Sequence, residues 1–273
     1  MPFGLAEMRP LVPPDNLLRP AGSELAVLTP RKATIARTRK FERPEAAVKM
    51  FDYWQRQRKS WWKKFSNSPG HISIESINQG SVGIVMTFPE LPPLTIETIC
   101  QLGSKPFEEM PRDIQSSFQL KDGRKLVLPH VVESCTSIET AVLTFLCDAL
   151  EERNSDQIVL ALHRKLAPYK IAFAAAPSGN ISIGQDIADL AGFLARVLRQ
   201  AGVSTMLLPD LGKKSLESQL VRYDELGVPY CVVLNEGSLK NGILALRNRD
   251  TTLKEQVHVA EIKSYVKILM KNY

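Results

Sequence analysis

The sequence lacks the features that mark membrane spans, disulfide frameworks and metal sites. No window approaches the roughly 20 apolar residues that a membrane-spanning helix needs. The four cysteines form no CxxC pair, and three of them lie in apolar runs, which favours reduced core thiols over disulfides or metal ligands. The cysteines are Cys100, Cys135, Cys147 and Cys231, and the histidines are equally scattered. We therefore expect no membrane association, no metal and no cofactor.

Catalytic and targeting signatures are also missing. The Ser, His and Asp residues show neither a nucleophile elbow nor triad spacing, so no catalytic residue is indicated. The opening MPFGLAEMRPLVPPDNLL lacks the Arg- and Ser-rich, acid-poor pattern of a matrix-targeting segment, and it is not a secretory signal. We therefore expect no targeting segment within this sequence.

Positive charge is concentrated in residues 31–64. Twelve Lys and Arg residues stand there against three acidic ones, so the stretch carries 12 − 3 = +9, and the whole chain at +6 leaves −3 for the remainder. Because phosphate contacts dominate nucleic-acid affinity, a dense cationic stretch with interleaved aromatics predicts DNA binding. The alternative is a solvated helical face. The candidate DNA contacts are Arg37, Arg39, Lys40, Arg56, Arg58, Lys59, Lys63 and Lys64.

The first 166 residues are expected to form a domain of mixed α and β character. Residues 10–30 are rich in proline without periodicity, which predicts an irregular connection. Ala46 to Phe65 reads as a helix, residues 82–88 as a strand, and Ser137 to Leu150 as a buried helix. Within the first helix, the adjacent Trp61 and Trp62 cannot face the same way, so we expect one in the core and the other against a partner.

Residues 167–273 predict a compact α/β domain. Apolar strands are expected at 169–175, 203–208, 229–234 and 243–249, with a short one around Val257. A helix with a capping box at Ser182 and Gln185 follows the first strand, a helix capped by Ser215 follows the second, and a third helix ends the chain. Strands alternating with helices predict a mixed sheet with helices on both faces.

This C-terminal pattern resembles the anticodon-binding domain of glycyl- and prolyl-type class II aminoacyl-tRNA synthetases. The resemblance rests on KSLESQLVRYDELGVPYCVVL and NGILALRNRDTTLKEQVHV and covers essentially all of 167–273. The Asn241-Gly242 pair predicts a type I′ hairpin turn ahead of a strand. Arg247 and Arg249 alternate along that strand and are expected to share a face.

The middle of the chain resembles the catalytic domain of the same family. LPHVVESCTSIETAVLTFL looks like motif 3, where active members carry a glycine at about Ser137 and an arginine at about Thr140. The glycine lets ATP approach the backbone, and the arginine neutralises phosphate charge. PFGLAEM looks like the first strand of motif 2 but continues into a Pro-rich segment, and motif 1 would precede Met1. The resemblance therefore implies a degenerate domain without synthetase activity.

One group keeps this scaffold without its chemistry, the accessory (processivity) subunits of the mitochondrial DNA polymerase gamma family. WQRQRKSWWKKFSNSP, KDGRKLVLPHVV and LHRKLAPYKIAFA resemble its landmarks in the right order. The resemblance implies a non-catalytic subunit, in the mitochondrial matrix and nucleoid, that holds the catalytic subunit on primer–template DNA. The expected polymerase contacts are Asn241, Gly242, Arg247 and Arg249.

Three questions stay open at the level of sequence. A glycyl- or prolyl-like synthetase, or a fragment of one, is the main alternative function, and a tRNA-binding paralogue is the other. Compared with vertebrate members, much of the N-terminal half is missing, including a helical insertion that helps them to dimerise, so homodimerisation is left undecided.

Overall fold

The computed structural model describes residues 3–11, 33–89, 91–122, 124–153 and 157–271, so most of the expected irregular connection at 10–30, and Arg31 and Lys32 of the basic stretch, lie outside the described residues. The chain divides into two units, Met1–Asp148 and Ala149–Tyr273. The sequence-based boundary after residue 166 stays a prediction. No helix within the described ranges is both long and apolar enough to cross a membrane.

The first unit is built on a six-stranded sheet in which every neighbouring pair is antiparallel. In spatial order the strands are β1 (Phe3–Leu11), β2 (Ala33–Glu42), β8 (His130–Ser137), β5 (Leu94–Gly103), β4 (Ser81–Met86) and β3 (Ile72–Asn78). A separate small hairpin joins β6 (Leu120–Asp122) and β7 (Lys125–Val127), and the helices are α1 (Ala47–Phe65), α2 (Lys105–Glu108), α3 (Arg112–Ser117) and α4 (Ile138–Ala149). The three elements predicted here, α1, β4 and α4, are confirmed, whereas β2 was not anticipated.

Helices α1 and α4 cover one face of this sheet. Trp62 of α1 is 1% exposed and lies among Ile84, Ile99 and Val132 from three strands. Phe145 of α4 stacks on the Trp62 ring, with centroids 5.2 Å apart. Large apolar side chains from helix and sheet therefore fix α1 firmly to the first unit.

The second unit contains a five-stranded mixed sheet. In spatial order its strands are β12 (Thr205–Met206), β11 (Ile171–Ala175), β13 (Tyr230–Leu234), β14 (Ile243–Asn248) and β15 (Lys254–His258), with the first three parallel and the last two antiparallel to their neighbours. The remaining elements are the hairpin of β9 (Leu150–Arg153) and β10 (Gln157–Leu160), and the helices α5 (Ile181–Gln200), α6 (Leu216–Glu225), α7 (Glu236–Asn241) and α8 (Ile262–Lys271).

Helices cover both faces of the mixed sheet, as predicted. Leu194 of α5 and Val266 of α8 pack with Phe173 on one face, and Tyr223 of α6 packs with Ala174 on the other. The alternation of inward and outward side chains along β11 places Phe173 and Ala174 on opposite faces. The second unit is therefore the expected α/β domain, and its parallel strands are covered on both faces, as parallel strands require.

The helix caps agree only partly with the sequence pattern. Ser215 caps α6, as predicted, by accepting a hydrogen bond from the Ser218 amide at 3.2 Å. The capping box expected at Ser182 is wrong, because the N-cap of α5 is Asn180, whose side chain accepts a hydrogen bond from the Ser182 amide at 2.9 Å. An Asn at this position satisfies the same free backbone donors that a Ser would.

Candidate nucleic-acid and partner interface

A buried carboxylate anchors helix α1 to the sheet. Glu97 of β5 is 3% exposed, and it accepts hydrogen bonds from Arg58 Nε at 2.8 Å and from Trp62 Nε1 at 2.7 Å. The Arg58 guanidinium also lies 4.7 Å from the centroid of the Trp61 ring. A buried charge is tolerated when it is paired and hydrogen-bonded in this way. Arg58 therefore holds the helix in place, whatever its part in DNA contact.

The two adjacent tryptophans face different environments, as the sequence predicted. Trp62 is the core residue, while Trp61 is 39% exposed and packs edge-on against Trp62, Phe65 and Phe145. The exposed part of Trp61 leaves apolar surface beside the cations of α1. A contact of Trp61 with a partner stays a prediction.

The outward face of α1 is a stripe of cations. Lys49, Arg56, Lys59, Lys63 and Lys64 follow the helical spacing of one broad face; Lys49, Arg56 and Lys64 are exposed, and Lys59 and Lys63 are half-buried. Asp52 is the single acidic residue within the helix. None of these five cations forms an ion pair with a residue that the structure describes. We call Arg56, Lys59, Lys63 and Lys64 the cationic stripe.

The basic residues of β2 lie elsewhere and are already engaged. Arg37 Nε is 3.4 Å from a Glu133 carboxylate oxygen, and Arg39 Nε donates to the same oxygen at 2.6 Å. The ammonium of Lys40 lies 4.6 Å from the centroid of the Trp54 ring, on the sheet face that α1 covers. Since alternate residues of a strand point to opposite faces, Arg37 and Arg39 lie on the face away from α1. The structure thus does not bring the eight candidate residues to one surface.

Arg37 also shapes the surroundings of a cysteine. Its Nε donates to Cys135 Sγ at 3.4 Å, and this bond raises the pKa of the Arg37 guanidinium against the lowering effect of burial. Burial raises the pKa of the Cys135 thiol. All four cysteines are free thiols, of which Cys231 is fully buried. The thiol of Cys135 therefore stays protonated at neutral pH.

Ser137 and Thr140, the residues likened above to motif 3, belong to a hydrogen-bonded network around Glu139. Ser137, at the expected glycine, accepts a hydrogen bond from the Thr140 amide at 3.2 Å and donates to Glu139 Oε2 at 3.0 Å. The Glu139 carboxylate also accepts two bonds from the Thr34 amide of β2, at 2.8 and 2.9 Å. The side chain of Ser137 thereby caps α4.

This network sets the charge state of Glu139. Desolvation by burial raises the pKa of the Glu139 carboxyl, but the hydrogen bonds from backbone amides and from Ser137 outweigh it, so that the pKa is lowered overall. The carboxylate is therefore charged at neutral pH. A negative charge here is the opposite of the phosphate-binding arginine expected in an active synthetase, and Thr140 supplies no positive charge.

In the second unit, the predicted hairpin turn at Asn241 and Gly242 is wrong. Asn241 is the last residue of α7, and Gly242 is the C-cap of that helix with a φ of 69°, a conformation that favours glycine. A Cβ atom built on Gly242 would lie 2.7 Å from His258 Nε2. The requirement for glycine was thus correctly read, but it comes from a left-handed helix cap packed against His258.

Arg247 and Arg249 are interior residues rather than surface contacts. Arg247 forms a two-pronged ion pair with Asp224 of α6, at 2.8 and 2.9 Å. This hydrogen bonding raises the pKa of the Arg247 guanidinium. Arg249 is 2% exposed and donates to the carbonyls of Leu160, Leu162 and Gly227. Both side chains therefore tie β14 and the following corner to the unit, and their part in polymerase binding stays a prediction.

The acidic partners were the part of this arrangement that sequence reasoning missed. Glu97, Glu133 and Asp224 each receive an arginine that the sequence analysis treated as a surface cation. Glu97 lies between Ile96 and Ile99, two buried apolar residues of β5, and a lone carboxylate between such positions was the available signal.

The comparisons with known proteins agree with this geometry. Residues 179–269 match the family model described as an anticodon binding domain. The chain is 34% identical to the mitochondrial DNA polymerase subunit gamma-2 of Xenopus laevis over 97% of its own length, and 29% identical to that of Drosophila melanogaster over 84%. It spans 59% and 65% of the lengths of these two relatives.

The fold comparison points to the synthetases. The structure of a prolyl-tRNA synthetase from Cryptosporidium parvum aligns with 100% of this chain, and the alignment covers 54% of the synthetase chain, with a TM-score of 0.68 and 14% sequence identity. A likeness at this identity establishes the fold alone. The chain is therefore a homologue of the proteins named DNA polymerase subunit gamma-2, with the mixed α/β fold of a class II aminoacyl-tRNA synthetase and an anticodon-binding domain.

Proposed function

We propose that this chain is a non-catalytic accessory subunit of the mitochondrial replicative DNA polymerase. On this proposal it works in the mitochondrial matrix, at the nucleoid, and it binds both the catalytic subunit and primer–template DNA. The observation that carries the proposal is the cationic stripe, which is free of acidic partners among the described residues, in a homologue of the gamma-2 subunits. Slower dissociation of the complex from DNA then lengthens synthesis per binding event.

DNA binding is assigned first to the cationic stripe. Each phosphate that a cation neutralises contributes roughly −0.9 to the slope of log affinity against log salt, so four contacts give about −3.6. Between 50 and 200 mM salt this slope corresponds to about a 150-fold loss of affinity. Arg37, Arg39 and Arg58 are proposed to add less because each is paired with a carboxylate. Lys40 is proposed to add less because its ammonium lies 4.6 Å from the Trp54 ring centroid, closer than the 5.9 Å between Lys64 and the Phe65 ring.

The polymerase contact is proposed at the surface around Asn241 and Gly242, at the end of α7, where the chain enters β14, an inner strand between β13 and β15. Asn241 is exposed, and the cap at Gly242 fixes the end of α7 against His258. Arg247 and Arg249 support this surface from inside through their bonds to Asp224 and to three carbonyls. A rigid, pre-formed surface of this kind loses little conformational entropy on binding.

Catalytic silence is proposed from the motif 3 position. On the resemblance to motif 3, the Ser137 hydroxyl stands where active synthetases have a glycine, and the charged Glu139 carboxylate lies beside it. A carboxylate there repels the phosphates, and Thr140 provides no compensating cation.

Salt-dependent DNA binding tests the proposal. Fluorescence anisotropy with a labelled primer–template duplex is measured from 50 to 200 mM salt for the parent chain and for a variant with Arg56, Lys59, Lys63 and Lys64 changed to Glu. The matched control changes four other exposed cations of the first unit to Glu, and thus has the same net charge: Lys105, Lys121, Arg124 and Lys125.

We expect the stripe variant to lose most of the affinity and of the salt slope, and the control variant to keep most of both. Equal losses in the two variants would show that net charge alone attracts DNA, and unchanged binding by the stripe variant would make the stripe a solvated face. Stronger competition by tRNA than by duplex DNA would favour the tRNA-binding alternative.

A further inference from the structure

A concave groove in the second unit combines cations with apolar surface. It has a volume of about 610 Å³ and lies between α8, the segment that leads into β11, and the turn after α5. Half of its ten lining residues are cationic, and none of these ten described residues is acidic. The cations are Arg164, Lys165, Lys170, Lys267 and Lys271.

The floor of the groove is apolar. Ile268 of α8 lines it and is 55% exposed, although Leu269 and Val266 of the same helix pack into the core. Val203 and Met270 add to the same apolar lining. The groove thus offers a small apolar floor inside a cationic rim, so that one partner can make both apolar and charged contacts there.

The cations of the groove are not all equally available. Lys170 is committed to the fold, because its ammonium donates to the carbonyls of Ala167 at 2.6 Å and Lys165 at 3.0 Å. Lys267 and Lys271, in contrast, are exposed and lie one turn apart on α8, and neither forms an ion pair with a residue that the structure describes. Like charges at this spacing repel each other, so the two ammonium groups favour an incoming anion.

We propose that this groove binds a protein segment in which apolar side chains are flanked by carboxylates. The apolar side chains would cover Ile268, and the carboxylates would pair with Lys267 and Lys271 at the rim. A phosphodiester backbone would satisfy the cations but leave the apolar floor in water, and the concave shape suits a few side chains better than a duplex. The groove uses none of the residues proposed above to contact DNA or the polymerase, so the inference does not depend on that function.

A synthetic peptide tests the assignment directly. The probe is a short fluorescent peptide in which leucine pairs alternate with glutamate pairs, and its partner probe has every leucine replaced by serine. Binding to the whole chain is followed by anisotropy, for the parent, for the double variant Lys267→Glu and Lys271→Glu, and for Ile268→Ser. Lys263→Glu is the matched control, because Lys263 is an exposed lysine of the same helix that does not line the groove.

We expect the leucine peptide to bind, the serine peptide to bind at least about tenfold more weakly, and both groove variants to lose about tenfold or more in affinity. The Lys263→Glu variant is expected to bind like the parent. Circular dichroism checks that the variants are folded. The proposal is wrong if the leucine peptide does not bind, if both peptides bind equally, or if Lys263→Glu has the same effect as the groove variants. It is also wrong if a single-stranded oligonucleotide or inorganic triphosphate, added as competitors, binds the groove more tightly than the peptide.

Discussion

Replacing Arg58 with Ala tests whether this cation of α1 stabilises the fold, in contrast to the cations of α1 that are proposed to contact DNA. The substitution leaves the Glu97 carboxylate, whose side chain is 2% exposed, with Trp62 Nε1 as its remaining side-chain donor. Removing one member of a buried ion pair costs about 3–5 kcal/mol. Because Arg58 is 22% exposed and the Trp62 bond remains, we expect a smaller cost, about 2–3 kcal/mol.

Urea unfolding, followed by tryptophan fluorescence and by circular dichroism, measures this difference. Arg56→Ala on the same helix is the matched control and is expected to change the free energy of unfolding by no more than about 0.5 kcal/mol. Combining Arg58→Met with Glu97→Gln is expected to recover part of the loss, because an uncharged amide oxygen still accepts the Trp62 bond. If Arg58→Ala costs no more than Arg56→Ala, Glu97 is not the anchor of α1.

Three further predictions concern the other parts of the site. Gly242→Glu adds a Cβ atom 2.7 Å from His258 Nε2 at a φ of 69°, so we expect the free energy of unfolding to fall by about 1–3 kcal/mol. We also expect this variant to lose polymerase binding in a pull-down. Asn241→Ala is the milder change and is expected to leave folding intact. Ser137→Ala removes the N-cap of α4 and is expected to lower the free energy of unfolding by about 1 kcal/mol, measured with denaturant. Neither this variant nor the parent should support ATP–pyrophosphate exchange with glycine or proline. Exchange above background would overturn catalytic silence. The folded pKa of Glu139 lies below its unfolded value, so its carboxylate stabilises the fold above the unfolded pKa of about 4.3, and this contribution is lost as the pH falls through the folded pKa. The stability of Glu139→Gln should therefore vary less with pH below about pH 4.5 than that of the parent. Equal pH profiles of the two proteins would refute the network.

The second unit was the more predictable half, because its pattern is local. The apolar runs of β11, β13 and β14 and the cap at Ser215 are each readable within a few residues, and together they specify a mixed sheet with helices on both faces. The errors were local ambiguities. Asn180 and Ser182 are both good caps, and Asn-Gly fits a helix end as well as a hairpin.

The charged site was less predictable, because ion pairs join residues far apart in sequence. Arg58 and Glu97 are 39 residues apart, and Arg39 and Glu133 are 94 apart. Local composition shows a cluster of cations but not which of them the fold neutralises. The strand β2 was missed for a related reason, since its alternating basic residues look like a solvated stretch until the pairing with β8 is known.

The cations that form no ion pair with a described residue are the ones proposed to contact DNA. Arg37, Arg39 and Arg58 meet carboxylates inside the first unit, whereas the cationic stripe faces outward on a helix fixed by Trp62. A rigid helix that presents unpaired cations binds a polyanion without first breaking internal ion pairs.

Primer extension under single-encounter conditions tests the central claim most directly. The catalytic subunit of the mitochondrial polymerase is bound to a primed template, and a trap for free enzyme is added together with the nucleotides, so that each product reports one binding event. We predict that adding this chain lengthens the products, that the variant with Arg56, Lys59, Lys63 and Lys64 changed to Glu lengthens them much less, and that Gly242→Glu fails because it does not bind the catalytic subunit. Product lengths that are the same with and without the chain, under conditions where the two proteins form a complex, would contradict the account.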